Sequence, residues 1–181
     1  MYFFNKNEIR TLSVEQAYFA ILNNDLDLAL KRFSEIDSSR SRWGIALVNA
    51  LKRNIDFYPT YFEIRNFYEI DLDFLIKNEK FEYIDILLDI SNTWIGINQE
   101  IYKYIARVLF ENNIEDLGIE YLEKSKNTFY NDPEMHFMFA KYFLKTKEYS
   151  KSNLHIKECL KIVPDYFPAK KINEIVSKYL V

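Results

Sequence analysis

The sequence predicts an all-α protein built from antiparallel helix pairs, and three observations support this. First, only 3 Gly and 4 Pro stand among 181 residues, too few for the turns of a β-sandwich or barrel. Second, apolar residues recur at helical spacing along most of the chain. Third, small and apolar residues recur 34 positions apart, a length that suits one helix–turn–helix unit. The matching pairs are Ala106 and Ala140, Gly118 and Ser152, Leu122 and Ile156, and Ser125 and Cys159.

The clearest helix pair is predicted between residues 133 and 166. Asp132 is suited to cap a helix that Pro133 begins, and Pro164 is suited to end the second helix. A short polar break at residues 146–148 separates the two. Each helix carries an apolar stripe at helical spacing: Phe139, Ala140 and Phe143 in the first, and Tyr149, Ser152, Ile156, Cys159 and Leu160 in the second.

The flanking segments continue this pattern. Residues 99–132 place similar residues at the same offsets, including Gly118 inside a predicted helix. Because glycine there costs about 1 kcal/mol relative to alanine, we expect a neighbouring helix to approach closely at that point. Residues 167–181 predict a single capping helix with Pro168 near its start. Three of its lysines are expected to face water: Lys170, Lys171 and Lys178.

The N-terminal half predicts helices at a less regular spacing. Residues 10–40 match the repeat, with a turn at 23–25 and core positions at Ala17, Ala20, Leu26, Ala29 and Phe33. Residues 41–98 fit the 34-residue spacing poorly and predict a degenerate unit of two helix pairs. In the first pair RWGIALVNALKRN precedes PTYFEIRNFYEI, and in the second LDFLIKN precedes KFEYIDILLDI. The register between about residues 40 and 75 stays open.

This pattern resembles the tetratricopeptide repeat family, most clearly over residues 99–166. The family's helix A and helix B positions fall on His136, Phe139, Ala140, Phe143, Ser152, Ile156, Cys159 and Pro164. The resemblance implies a single domain over residues 1–181, a right-handed superhelical stack of antiparallel helix pairs. Its units would be about 10–40, 41–98 (degenerate), 99–132 and 133–166, with the cap at 167–181. It also implies a concave face on which another molecule docks.

The family's concave-face positions imply a partner-binding groove. In this sequence the expected groove residues are Lys103, Arg107, Phe110, Phe137, Lys141, Leu144 and Lys145. The four cations would meet acidic side chains or a terminal carboxylate of a protein or peptide, and the apolar side chains would hold its anchor. Arg107 and Lys141 stand where the subfamily that binds chaperone tails has its main clamp asparagine. That specific activity is therefore not expected.

Cysteine use and hydropathy predict a soluble, cytoplasmic protein. Cys159 is the only cysteine, so no disulfide closes within the chain. The first residues lack the apolar core of a signal peptide, and no run approaches the roughly 18 apolar residues of a membrane span. Charge is uneven: residues 63–123 carry 5 Lys and Arg against 14 Asp and Glu, and residues 124–181 carry 11 against 6. This asymmetry bears on partners rather than on the fold.

No residue pattern predicts catalysis, a metal or a cofactor. His136 and His155, the only histidines, are assigned to packing or surface roles because no converging carboxylate or thiol accompanies them. Cys159 falls at a small core position, where a thiol is inert. Glycines stand only at 44, 96 and 118, so no phosphate-binding or dinucleotide loop is present.

Nucleic acid is disfavoured as a partner. Lysines alternate with aromatic residues in MHFMFAKYFLKTKEYSK, a pattern that can bind single strands by stacking. Those aromatic residues, however, fall where the repeat core needs them. The acidic middle of the chain would also repel a phosphate backbone.

The leading functional hypothesis is a non-enzymatic scaffold that binds a protein or peptide on its concave face. The alternative is an accessory or regulatory module of a bacterial glycosyltransferase system, because the chain is similar to helical domains appended to such enzymes. Richness in Ile, Lys, Asn, Phe and Tyr is typical of an AT-rich bacterial genome. A homodimer is a separate hypothesis, motivated by the aromatic N-terminus (Tyr2, Phe3 and Phe4) and by the oppositely charged halves.

Overall fold

A computed structural model describes the backbone of residues 6–54 and 56–180 and the side chains of residues 13–54 and 56–180. These residues form helices, turns and short irregular connections, and no strand occurs among them. The all-α prediction is therefore confirmed. The hypothesis that Tyr2, Phe3 and Phe4 drive dimerisation lies outside the described residues.

Eleven α-helical segments account for the described structure, with one π-helical segment and one short 3₁₀ helix. Their bounds are α1 (Lys6–Leu22), α2 (Leu26–Ser34), α3 (Ser39–Leu51), α4 (Tyr61–Asn66), a π-helical segment (Phe67–Asp71), α5 (Leu72–Lys77), α6 (Phe81–Trp94), α7 (Ile101–Glu111), α8 (Glu115–Thr128), α9 (Pro133–Lys145), α10 (Tyr149–Ile162), α11 (Phe167–Val176) and a 3₁₀ helix (Ser177–Tyr179). No helix among the described residues is both long and apolar enough to cross a membrane.

The chain divides into two compact units, Met1–Asn98 and Gln99–Val181. In the N-terminal unit, α1 packs on α2 and α3, α2 on α3, α3 on α4 and α6, and α5 on α6. In the C-terminal unit, α7 pairs with α8, α9 pairs with α10, and α11 packs against both α9 and α10. The boundary falls where the sequence predicts that the regular repeat begins. A single superhelical domain over residues 1–181 stays a prediction.

One turn geometry recurs at five helix ends. A residue with positive φ follows each of α1, α3, α5, α7 and α9, and the five residues are Asn24, Arg53, Glu79, Asn113 and Lys147. The next residue donates its backbone N–H to the carbonyl five positions earlier, as Ile114 does to Leu109 and Glu148 does to Phe143. This is the Schellman closure, which satisfies the last carbonyls of a helix. The last three of these turns are 34 residues apart, at 79, 113 and 147.

The predicted repeat positions form the core of the C-terminal unit. Ala106, Ala140, Leu122 and Ile156 are completely buried, as are Ser152 and Cys159, while Ser125 is 2% exposed. The Ser152 hydroxyl donates to the Ala140 carbonyl at 2.8 Å, so a small polar residue lets α9 and α10 approach closely without leaving an unpaired group. A Cβ added at Gly118 would lie 3.1 Å from the Phe110 ring, which explains why glycine is tolerated inside α8.

The predicted helix boundaries of this unit are also confirmed. The Asp132 carboxylate accepts from the backbone N–H groups of Glu134 and Met135, and Pro133 begins α9. Helix α10 ends at Ile162, before Pro164. Helix α11 lies where the cap is predicted, and its buried Ile172 and Val176 join Ala140 and Ile156 in one apolar cluster. Its lysines and Lys178 face water, as predicted.

The division predicted within residues 41–98 is wrong. Helix α4, the π-helical segment and α5 follow one another without a break, so PTYFEIRNFYEI and LDFLIKN belong to one helical run that packs on α6 through α5. The backbone N–H of Leu72 donates to the Phe67 carbonyl five residues earlier. Aspartate is unfavourable inside a helix, so Asp71 predicts a break between two helices. Asp71 is instead completely buried within this run. Tertiary contacts of its carboxylate override the local preference.

Candidate functional site

An open groove in the C-terminal unit runs between α7 and α9, and we call it the α7–α9 groove. It has a volume of about 300 Å³. Phe110, Met138 and Tyr142 form its apolar part, with the Phe110 and Tyr142 rings 5.9 Å apart between centroids. The polar residues around it are Arg107, Glu111, Asn113, Glu115, Lys141 and Lys145.

The three cations of this groove differ in their charge partners. The Arg107 guanidinium donates to Glu134 at 2.5 Å, and Lys145 donates to Glu115. Lys141 is exposed, and its ammonium lies 5.9 Å from the centroid of the Phe137 ring with no carboxylate paired to it among the described residues. Lys141 therefore offers a cation that a ligand carboxylate can meet without first displacing an internal partner.

Lys103 is not a groove residue, and its predicted role is corrected here. Its side chain is buried, and Nζ donates to Asp132 and Glu100, each at 2.6 Å. Burial lowers the pKa of Lys103, but hydrogen bonds with Asp132 and Glu100 outweigh that effect and the pKa is raised overall. The same Asp132 carboxylate caps α9 with its other oxygen, so Lys103 ties α7 to the start of α9.

Phe137 and Leu144 also lie away from the predicted strip. Both pack against the cluster that α9, α10 and α11 form around Ala140. The Phe137 ring contacts Tyr166 edge to face, with 5.4 Å between the centroids. Of the predicted set, Arg107, Phe110, Lys141 and Lys145 thus share one groove, whereas Lys103, Phe137 and Leu144 serve the core or the cap.

Met138 and Tyr142 are the apolar groove residues that the sequence interpretation missed. Residues 138, 141, 142 and 145 follow the spacing i, i+3, i+4, i+7, which marks one face of a helix. Residues 107, 110 and 111 follow the same spacing on α7. This helical face was readable from the sequence, but the family's concave-face positions assign residues 137 and 144, which lie on a neighbouring face of α9.

A buried polar network occupies the N-terminal unit around Asp71. Its carboxylate accepts from the Tyr18 hydroxyl at 2.9 Å, from the Arg40 guanidinium at 3.0 Å and from the Asn66 amide at 3.0 Å. Burial raises the pKa of Asp71 to about 6, although the Arg40 charge and the three hydrogen bonds act in the opposite direction. Burial, together with the Asp71 charge, raises the pKa of Tyr18.

The π-helical segment explains how Asn66 and Asp71 meet. A π-helix closes i→i+5 hydrogen bonds, so positions i and i+5 lie closer to one face than they do in an α-helix. Such turns are frequent at functional sites. The network therefore depends on an irregularity that no sequence period reports.

The two histidines form a buried pair in the C-terminal unit. Their Nδ1 atoms are 3.0 Å apart, and His136 Nε2 lies 3.0 Å from the Tyr130 carbonyl. Because a carbonyl only accepts, neutral His136 carries its proton on Nε2 and accepts at Nδ1 from His155. Burial lowers the pKa of both rings, that of His155 to about 4. His155 also stacks on Phe139 at 4.4 Å, so this pair is part of the core, as the packing assignment predicts.

The described residues give little support for a nucleophilic cysteine or a metal site. Cys159 is completely buried, and burial raises the pKa of its thiol to about 11. A thiol of that kind is a poor nucleophile at neutral pH. Within the described residues, no group of three or more His, Cys, Asp and Glu side chains converges in a way that could hold a metal ion.

No family model, curated protein or solved structure matches this chain. A function is therefore inferred from its residues and their geometry.

Proposed function

We propose that this chain is a non-enzymatic helical-repeat scaffold, similar to tetratricopeptide proteins, that binds a protein or peptide segment in the α7–α9 groove. The observation that carries this proposal is that the first helices of two successive hairpins contribute side chains to one open groove with an apolar floor. Grooves of this kind suit a peptide that places apolar anchors between helices. The 34-residue spacing of the last three Schellman turns supports a stack of equivalent hairpins.

The groove favours a partner with one large apolar or aromatic anchor. At about 300 Å³ its volume is at the lower end for binding pockets, so it suits one or two side chains rather than a broad surface. Phe110, Met138 and Tyr142 supply the apolar contacts, and buried anchors of this type carry most of the affinity in protein interfaces.

The groove offers fewer cations to an acidic partner than the sequence suggests. Arg107 and Lys145 already pair with carboxylates of the same unit, and Lys103 is buried. Of the four predicted groove cations, only the exposed Lys141 has no carboxylate partner among the described residues. We therefore propose a partner with a single carboxylate close to its apolar anchor rather than an acidic stretch.

A selection from random peptides displayed on phage tests this function directly. We expect the full chain to enrich peptides that share an aromatic or large aliphatic residue next to Asp or Glu. A synthetic peptide of the selected sequence should then bind the groove variant Met138→Glu at least about tenfold more weakly, because the new charge lies on the apolar floor.

The matched control is Leu154→Glu, which places the same charge on α10 at an exposed apolar residue outside the groove. Its affinity for the selected peptide should equal that of the wild type. Equal weakening by both variants, or by neither, would contradict the α7–α9 groove as the binding site. Capture of a glycosyltransferase by the native protein would favour the alternative role as its accessory module.

A further inference from the structure

A second groove lies in the N-terminal unit beside Arg40, and we call it the Arg40 groove. It has a volume of about 410 Å³ and lies between α1 and the run that contains Ile70 and Phe74. Five apolar side chains line it: Val14, Phe19, Leu22, Ile70 and Phe74. Phe19 and Ile70 are 66% and 48% exposed, so the apolar wall is open to solvent.

The Arg40 guanidinium is held in one orientation. One terminal nitrogen donates to Asp71 at 3.0 Å and the other donates to Asn66 at 3.2 Å. Its central carbon lies 4.7 Å from the centroid of the Tyr18 ring, a cation–π contact that further restrains the group. Because Asp71 is completely buried and accepts three hydrogen bonds, it orients Arg40 but cannot itself be reached by a ligand.

Arg40 has further N–H donors beyond those that it uses among the described residues. A guanidinium carries five N–H groups, and Arg40 uses one for Asp71 and one for Asn66. Its side chain is 31% exposed and lines the groove. A planar guanidinium with unused N–H groups matches the two oxygens of a carboxylate.

We propose that the Arg40 groove binds a small monocarboxylate with an apolar body, whose carboxylate meets Arg40 and whose body lies on Phe19, Ile70 and Phe74. Charge limits the ligand to one negative group. Glu15, also at the groove, and Asp71, the partner of Arg40, are both acidic, so phosphates and dicarboxylates are disfavoured more strongly than a monocarboxylate. The apolar wall offers no hydrogen-bonding side chains to a polar ligand such as a sugar.

Titration of the full chain with octanoate tests the proposal, with octanamide as the neutral counterpart of the same length. Backbone amide shifts in NMR spectra follow binding and its location. We expect saturable binding of octanoate with a dissociation constant of about 1–10 mM, as suits so small a ligand. Octanamide should bind about tenfold more weakly, because it lacks the charge that pairs with the guanidinium.

Two variants separate recognition from folding. Arg40→Gln should remove the preference for octanoate over octanamide. Since Arg40 also pairs with buried Asp71, Phe19→Ala provides a test that leaves the network intact. Phe19→Ala should weaken both ligands by about three- to tenfold through lost apolar contact. Phe62→Ala is its control, since Phe62 is 69% exposed in the same unit but does not line the groove, and it should leave both affinities unchanged.

Three results would overturn the proposal. The first is equal affinity for octanoate and octanamide in the wild type, and the second is equal weakening by Phe19→Ala and Phe62→Ala. The third is tighter binding of a peptide with a free C-terminal leucine than of octanoate, accompanied by shifts at the same residues. That third result would assign the Arg40 groove to a chain terminus instead of a small molecule.

Discussion

Each of the two units pairs a cation with a buried carboxylate, but in a different setting. In the C-terminal unit, Lys103 and Asp132 connect a regular pair of hairpins, and Asp132 also caps a helix. In the N-terminal unit, Arg40 pairs with Asp71, which lies at the end of a π-helical segment. The first pair supports a repeating geometry. The second pair lies where the 34-residue spacing is interrupted, and it leaves its cation partly exposed beside a groove.

The largest effect is expected from removing the carboxylate of Asp71. Asp71→Ala leaves Arg40 without its buried partner and Tyr18 without its acceptor, so unfolding should become easier by about 3–5 kcal/mol. Asp73→Ala is the control, since Asp73 pairs with Lys77 at a partly exposed site and its loss should cost about 0.5 kcal/mol. Urea unfolding of both variants measures the difference. Similar costs would show that the network does not hold the π-helical turn.

Two glycines give the next comparison, one in each unit. A Cβ at Gly44 would lie 2.3 Å from the Phe33 ring, whereas one at Gly118 would lie 3.1 Å from Phe110. We expect Gly44→Ala to destabilise by about 1–3 kcal/mol, because α2 and α3 must separate. In Gly118→Ala the gain in helix propensity, about 1 kcal/mol, offsets a small ring movement, so the net change should be close to zero. Thermal unfolding distinguishes them, and equal effects would contradict the close α2–α3 contact.

Acid should weaken the C-terminal unit through the histidine pair. The pKa of His155 is lowered to about 4 by burial and by the charges of His136 and Lys126, so the unfolded chain binds its proton first as the pH falls. The stabilising contribution is therefore present above about pH 6.5 and declines below it, by at most about 1.4 kcal/mol per pH unit.

Asp71 acts in the opposite direction in the N-terminal unit. Its pKa in the folded state, about 6, is above the ordinary value of 3.8, so its contribution is greatest in acid and is lost as the pH rises through about 6. Urea unfolding of the wild type and of His155→Gln between about pH 7 and about pH 5 separates the contribution of His155 from that of Asp71. The variant should lose less stability over this range. An unchanged pH dependence would mean that His155 does not titrate as proposed.

The sequence predicts the C-terminal unit well because its determinants are local or periodic. Gly118 and Ser152 mark the close helix contacts, and Asp132 and Pro133 mark a helix start, all of which follow from residue type and spacing. The buried position of Lys103 does not follow from residue type and spacing, because its partner Asp132 is 29 residues away and meets it only after the hairpins have packed. The same applies to the histidine pair, whose members are 19 residues apart on different helices.

The N-terminal unit is less predictable for a related reason. Asp71 has a low preference for helix interiors, and its burial becomes favourable through hydrogen bonds from Tyr18 and Arg40 on other helices and from Asn66 in the same helical run. A period of 34 residues is absent before Glu79, where the Schellman turns stand 29 and 26 residues apart, at 24, 53 and 79. Two of the seven predicted groove residues, Phe137 and Leu144, were misplaced for a third reason, because family positions were used where the i, i+3, i+4 face of α9 was the better guide.

The most direct test of the account is to map, by backbone amide shifts, where the selected peptide binds the full-length chain. The account predicts that the largest shifts occur at Arg107, Phe110, Met138, Lys141 and Tyr142, with little change at Leu154 on α10. Shifts concentrated at Leu154, or within Met1–Asn98, would contradict the α7–α9 groove as the partner site.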